Sequence, residues 1–415
     1  MIRIVFFFLL SSLATWGHGA EAVRPLTLGE AERLLLQNNP DLAMGRAVLA
    51  GAEAGIASAD VLPNPQITLS STGISPQEGI GSGGLTQKRM DSILRLDQQW
   101  ERGGKRELRV ASARAGAQAA EQDQAALMRQ QRIALAGAFY DLLAAQERRM
   151  LAQEIAGFAR RSAEVARLRL AAGDLARVDL ARALSDAARA EGDADLAQAD
   201  QGHAQLALAQ LIALGAEASS LRAVGDWPRI ETPILGNPAQ LLASRPDVAA
   251  ARARAEAART ARDLARAQRT RDVGVGLQVE RNPATAPGNL VGVSVSVPLF
   301  LGNDYRGDIA KAEADYTLAL ETQRKTELAA EAELNRQRLD VDTLARRARR
   351  LREDLLPEAR RAASAAEFAF AQGAMGIGDL LDARRSLKAA EQDAIASQAD
   401  YAKALQAWRL QGEEK

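Results

Sequence analysis

Between Pro76 and Pro228 the sequence contains no proline, and after Pro298 it contains only Pro357. Proline inside a helix costs about 3 kcal/mol, because it lacks an N–H and its ring clashes with the preceding turn. These two stretches are therefore where very long helices can run. Their composition agrees, being rich in Ala, Arg, Glu, Gln and Leu, in a chain only 4% aromatic. A helix from about Lys105 to Ala172 is on the order of 100 Å long at ~1.5 Å per residue. A second runs from about Asp304 to Gln372, with a kink expected at Pro357. Helices of this length exceed an ordinary domain and require coiled-coil-like packing.

Each long helix meets a glycine, Gly173 in one case and Gly373 in the other, and an Asp follows within a few residues. Glycine just past a helix end adopts φ > 0 without a Cβ clash. Asp is a good N-cap, because its carboxylate accepts the free N–H groups of the next helix. Each stretch thus predicts a tight turn between two long antiparallel helices. The turns are one part of an internal repeat. Asn38-Asn39-Pro40-Asp41 is answered by Ser244-Arg245-Pro246-Asp247, each a helix end followed by a Pro-led helix of about twenty residues. Each half then reads α–α–β–β–α–α. We divide the chain into a leader (1–22), a first repeat (23–215), a connector (216–240) and a second repeat (241–415).

The β regions alternate. In 273–279 and 291–297 every second residue is Val or Leu, and those between are Gly, Ser or Gln. One greasy face and one small polar face suit a membrane β-barrel strand, with lipid outside and a wet lumen inside. The first-half pair, 66–70 and 93–97, is less regular and has a longer Gly/Ser-rich loop. Four strands cannot close a barrel, and open edges are not tolerated in lipid. Copies must associate, and three would supply about twelve strands, an even number in the range for such barrels.

The N-terminus, Met1-Ile2-Arg3 before a short apolar run and Ala20-Glu21-Ala22, reads as a cleaved secretory signal. The chain has no Cys, which excludes a disulfide, a thiolate metal site and lipidation on Cys. With two His in all, a His-rich catalytic or zinc site is not expected. Basic and acidic residues balance at 53 each, which argues against nucleic-acid binding. The arginines of 346–350 are interleaved downstream with Glu353, Asp354 and Glu358, and read as a solvated helix face. No nucleophile–base pair, phosphate loop or metal cluster is evident, so neither an enzyme nor a cofactor is expected.

The pieces in order then resemble the TolC family of outer-membrane channel components, over essentially the whole mature length. The matching residues are Leu26-Thr27-Leu28-Gly29-Glu30-Ala31 with Asn38-Asn39-Pro40, Arg245-Pro246-Asp247-Val248, Val297-Pro298-Leu299-Phe300, Leu356-Pro357 and Gly373 to Ala383. Gln99-Trp100 with Gly103-Gly104-Lys105-Arg106 looks like the cobalt–zinc–cadmium resistance branch. The resemblance implies a mainly α chain with a small β part. Three copies would form an outer-membrane β-barrel, four strands from each chain, continued by a long periplasmic α-helical barrel. It also implies a periplasmic adaptor and an inner-membrane transporter of the RND class as partners, with divalent heavy-metal cations as cargo. Drug efflux, type I secretion, or a periplasmic coiled coil without a pore are the alternatives.

By the same resemblance the two turns ring the periplasmic aperture. Asp379 and Asp382, three apart on one face, would gather six carboxylates in a trimer, which attracts cations. Asp179 matches a position that helps hold the returning helices shut through polar links. Its partner positions here, Phe370 and Met375, offer neither a hydroxyl nor a cation. The lock is therefore absent, or rebuilt with Arg177 or Arg384.

Overall fold

The computed structural model describes residues 23–74, 76–84, 87–230, 238–282 and 289–412. The expected signal peptide, most of the 281–289 hairpin loop and part of the connector lie outside these. Nine α-helices are described: α1 (Leu28–Asn38), α2 (Pro40–Asp60), α3 (Lys105–Ala171), α4 (Arg177–Leu211), α5 (Pro238–Ser244), α6 (Pro246–Ala267), α7 (Arg306–Arg350), α8 (Leu356–Ala371) and α9 (Ile377–Gly412). The strands are β1 (Arg24–Leu26), β2 (Gln66–Thr72), β3 (Asp91–Trp100), β4 (Leu221–Ala223), β5 (Val273–Arg281) and β6 (Asn289–Ser296). The order α1-α2-β2-β3-α3-α4 recurs as α5-α6-β5-β6-α7/α8-α9, which is the repeat expected.

The proline-free stretch yields the 67-residue helix α3. Pro357 does not stop the second long run. Its missing N–H is absorbed by a π-helical turn over Leu351–Leu355, which hands α7 on to α8. The pairing of β1 with β4, parallel and three residues long, was not expected. Thr27 caps α1 through a capping box with Glu30.

The chain divides into two compact units, each drawn from both sequence halves. Of the described residues, the first takes 23–39, 131–230 and 339–410. Its core includes a seam of small residues, Ala156, Ala159, Ala163 and Ala166 of α3 against Ala183, Ala187 and Ala190 of α4, with Ile377 and Leu381 of α9. The 3–4–3 spacing is the heptad seam of a coiled coil, and Ala there lets helix axes approach closely. Elsewhere in this unit larger side chains, Leu142, Tyr401, Leu405 and Trp408, fill the interior.

The second unit takes residues 40–130, 234–338 and 411–415, and holds one antiparallel sheet in the order β2-β3-β5-β6. The β3–β5 pairing joins the two sequence halves. Register places Ile67, Leu96, Leu277 and Val293 in one row, and Leu69, Leu94, Val279 and Val291 in the next. The opposite face carries Thr68, Arg95, Gln278 and Gly292, then Gln66, Asp97, Gly276 and Ser294. On it Arg95 donates to Asp97 (2.8 Å) and Ser294 (3.1 Å). A Cβ on Gly276 would overlap the Asp97 carboxylate and the Ser294 hydroxyl, so this network requires glycine. Against α6, buried Arg245 donates to Asp247 (3.0 and 2.7 Å), and Arg129 lies 3.6 Å from the same carboxylate. Burial opposes the Asp247 charge, but the Arg245 hydrogen bonds and both arginine charges outweigh it and hold the carboxyl below its ordinary pKa.

Candidate channel mouth and membrane sheet

Both glycine turns take the same form. Gly173 and Gly373 have φ of 83° and 74°. Gly173 donates to Leu170 and Asp174 to Arg169; Gly373 donates to Phe370 and Ala374 to Ala369. This paired pattern is a Schellman closure, which satisfies the last helical carbonyls. The Asp residues do not cap the helices that follow. The N-cap of α4 is Ala176, with no side-chain cap, and Asp179 lies in its first turn. Asp379 likewise lies in the first turn of α9. Their carboxylates still meet the positive end of the helix dipole.

Asp379 is exposed and has no hydrogen-bond or ion-pair partner among the described residues. Asp382 is exposed too, but Arg385 lies 3.0 Å from it. Arg385 also reaches across to Asp186 of α4 (2.7 Å), and this hydrogen bond is the main reason its pKa is raised above the ordinary arginine value. Of the two carboxylates expected at the aperture, only Asp379 is uncompensated among the described residues. Asp179 pairs loosely with Arg182 at 3.7 Å.

Neither Phe370 nor Met375 makes a polar link. Phe370 packs against the alanine seam and under the Arg169 guanidinium, 4.9 Å from its ring centroid. Arg384 pairs with Glu367 of α8 and stacks on Phe158 of α3. Among the described residues the polar links between α9 and α4 are Arg385–Asp186 and Lys388–Asp193 (2.5 Å), both on the wall of a cavity of about 350 Å³. Sequence reasoning missed them. The signal was the seven-residue spacing of Asp179, Asp186 and Asp193 on α4, one heptad face that needs cations opposite. The repeat is visible here as well: Arg160–Glu191 and Arg360–Glu391 are ion pairs at the same offset.

On the sheet, the apolar rows are open: Val293 and Leu69 are each 75% exposed, and Val291 and Ile67 each 71%. A water-soluble protein does not normally leave such a surface bare. Outer strands β2 and β6 each have one unpaired edge. No described helix is long and apolar enough to cross a membrane. A sheet with one continuous greasy face, in a chain that also carries very long alanine-seamed helices, has the make-up of a channel subunit.

The chain belongs to the outer membrane efflux protein family, whose profile it matches over residues 33–214 and 237–410. It is 30% identical over 388 residues to the cobalt-zinc-cadmium resistance protein CzcC of Cupriavidus metallidurans, covering 88% of this chain and 85% of the relative. Among solved structures, a membrane protein from Pseudomonas aeruginosa superposes with a TM-score of 0.80 at 21% identity, over 93% of each chain. The outer-membrane channel OprN does so at 0.79 and 24% identity, over 92% of this chain and 89% of its own. These likenesses fix the fold.

Proposed function

We propose that three copies of the chain pair the β2 and β6 edges around a twelve-stranded barrel in the outer membrane, and that their long helices line a periplasmic tube. The two sequence repeats are then two equivalent slices of that tube. It is a passive conduit that receives substrate from a periplasmic adaptor and an inner-membrane RND pump. Likeness to CzcC supports divalent heavy-metal cations as cargo. The observation that carries the reading is the register of the sheet, which stacks the apolar residues of all four strands on one exposed face.

In this reading Asp379 faces the aperture from each copy, and Arg385–Asp186 and Lys388–Asp193 hold the returning helices in place of the missing lock. Single-channel recording in planar bilayers tests the aperture. Asp379→Asn is expected to lower cation selectivity and weaken block by divalent ions, and Asp382→Asn to do so less, since Arg385 already offsets it. Unchanged selectivity in both variants rejects the aperture role. Loss of cobalt, zinc and cadmium tolerance in a deletion strain, restored by the intact gene, tests the cargo; unaltered tolerance rejects it.

A further inference from the structure

The junction between helices and sheet carries a charge pattern that the conduit does not require. The Arg102 N–H donates to Asp272 (3.0 Å), and the Gly103 turn packs on Thr270, so residues 100–106 and 269–273 form one rim at the sheet's end. Most carboxylates here are taken. Buried Lys105 pairs with Asp272 (2.8 Å), Arg106 with Asp60 (2.9 Å) and Arg109 with Glu101 (2.5 Å). Glu107 and Asp308 lie in the first turns of α3 and α7, where the helix N-terminus takes up their charge. Exposed Arg102, Arg269 and Arg271 have no acidic partner among the described residues. Arg271 lies over Phe300, 5.6 Å from the ring centroid. Around them Trp100 is 56% exposed and Leu301 90%.

Depth can be read from the strand. Within β5, Val273, Val275, Leu277, Val279 and Arg281 share the face on which Trp100 pairs with Val273, and Arg271 lies two residues before the strand begins. Val273 to Arg281 spans about 26 Å at ~3.3 Å per residue. At the roughly 40° tilt of barrel strands this is about 20 Å of thickness, most of the roughly 25 Å apolar band of membrane barrels, and Arg271, just beyond the strand, falls at the edge of that band. The rim therefore lies at headgroup level, where Trp and Arg are at home.

We propose that Trp100, Arg102, Arg269 and Arg271, with the exposed Leu299–Leu301 segment, form a binding surface for anionic phospholipid headgroups. The inference rests on the membrane reading of the sheet. The exposed aromatic and aliphatic side chains on the lipid-facing side favour a lipid over an acidic protein segment. The surface anchors the barrel at a fixed depth where the helices begin.

The test uses the full chain purified as an oligomer in non-ionic detergent. Thermal stability and native mass spectra are recorded with phosphatidylglycerol or phosphatidylcholine, at low and high salt. Wild type is expected to prefer phosphatidylglycerol, and to lose the preference at high salt. R102Q/R269Q/R271Q should lose about fivefold in that preference per arginine, while R102K/R269K/R271K keeps it. Equal response to the two lipids in wild type, or an undiminished preference in the glutamine variant, overturns the proposal, as does selective capture of an acidic peptide instead of the lipid. If the triple variant does not assemble, R269Q, on an exposed turn, carries the same comparison. Flotation with neutral liposomes separates the two readings. Wild type that floats without headgroup preference sinks this inference alone; wild type that never enters liposomes sinks the membrane reading as well.

Discussion

Gly173 and Gly373 sit in the left-handed region because each must turn the chain while two N–H groups reach back to the helix just ended. Alanine there costs about 1 kcal/mol in backbone strain. Gly373→Ala should lower stability by about that amount and speed amide exchange in the last turn of α8; unaltered exchange would show that the turn does not need glycine. Arg385 spans Asp382 and Asp186 from a half-exposed position, so solvent screening limits each pair to about 1 kcal/mol or less. Arg385→Gln should therefore leave folding nearly intact. If these links restrain the mouth, it raises open-channel conductance in bilayers, and conductance equal to wild type argues that other contacts close it. The glycines were legible in the sequence because φ > 0 has few other tenants. The N-cap positions were not, since a few residues between glycine and helix leave the restart point open. The Arg385–Asp186 link spans 199 positions and depends on which helix faces meet, which a single helix does not reveal.

At the scale of elements, proline and glycine placement made the long helix lengths readable to within about three residues. Pro357 shows the limit: a kink was expected there, but not the π turn over Leu351–Leu355 in which the chain absorbs the lost hydrogen bond. The strands of the second half were plain because Val alternates with Gly and Ser. The parallel β1–β4 pair was hidden because three residues carry no period. The helix-to-helix step at Arg245-Pro246-Asp247 offers a pH test. Asp247 is paired with two arginines, and its folded pKa lies below the ordinary 3.8. Its stabilising effect is thus fully present above about pH 4 and is lost as pH falls through the folded value. Asp247→Asn should destabilise by about 3 kcal/mol at neutral pH, because it strips buried Arg245 of its partner. It should also flatten the acid limb of the melting-temperature profile. A variant that melts like wild type at neutral pH, with the acid limb unchanged, would remove Asp247 from the account.

For the whole molecule the deciding question is what covers the apolar face of the sheet. Val293 lies in the row shared by Ile67, Leu96 and Leu277, while Gln278 points to the face that holds Arg95 and Asp97. If three sheets close around water, the first face meets lipid and the second meets the lumen. A lysine near the middle of the lipid face then costs roughly 2–4 kcal/mol, and one in the lumen costs little. In a soluble protein both faces would meet water or protein, and this strong asymmetry would vanish. Val293→Lys should cut the amount of oligomer extracted from outer membranes and lower its dissociation temperature in detergent, whereas Gln278→Lys should assemble normally and alter conductance instead. The single chain cannot satisfy its own β2 and β6 edges, so assembly and membrane insertion are expected to fail together in Val293→Lys. Monomer found inserted in the membrane, or the two lysines behaving alike, would contradict closure by association.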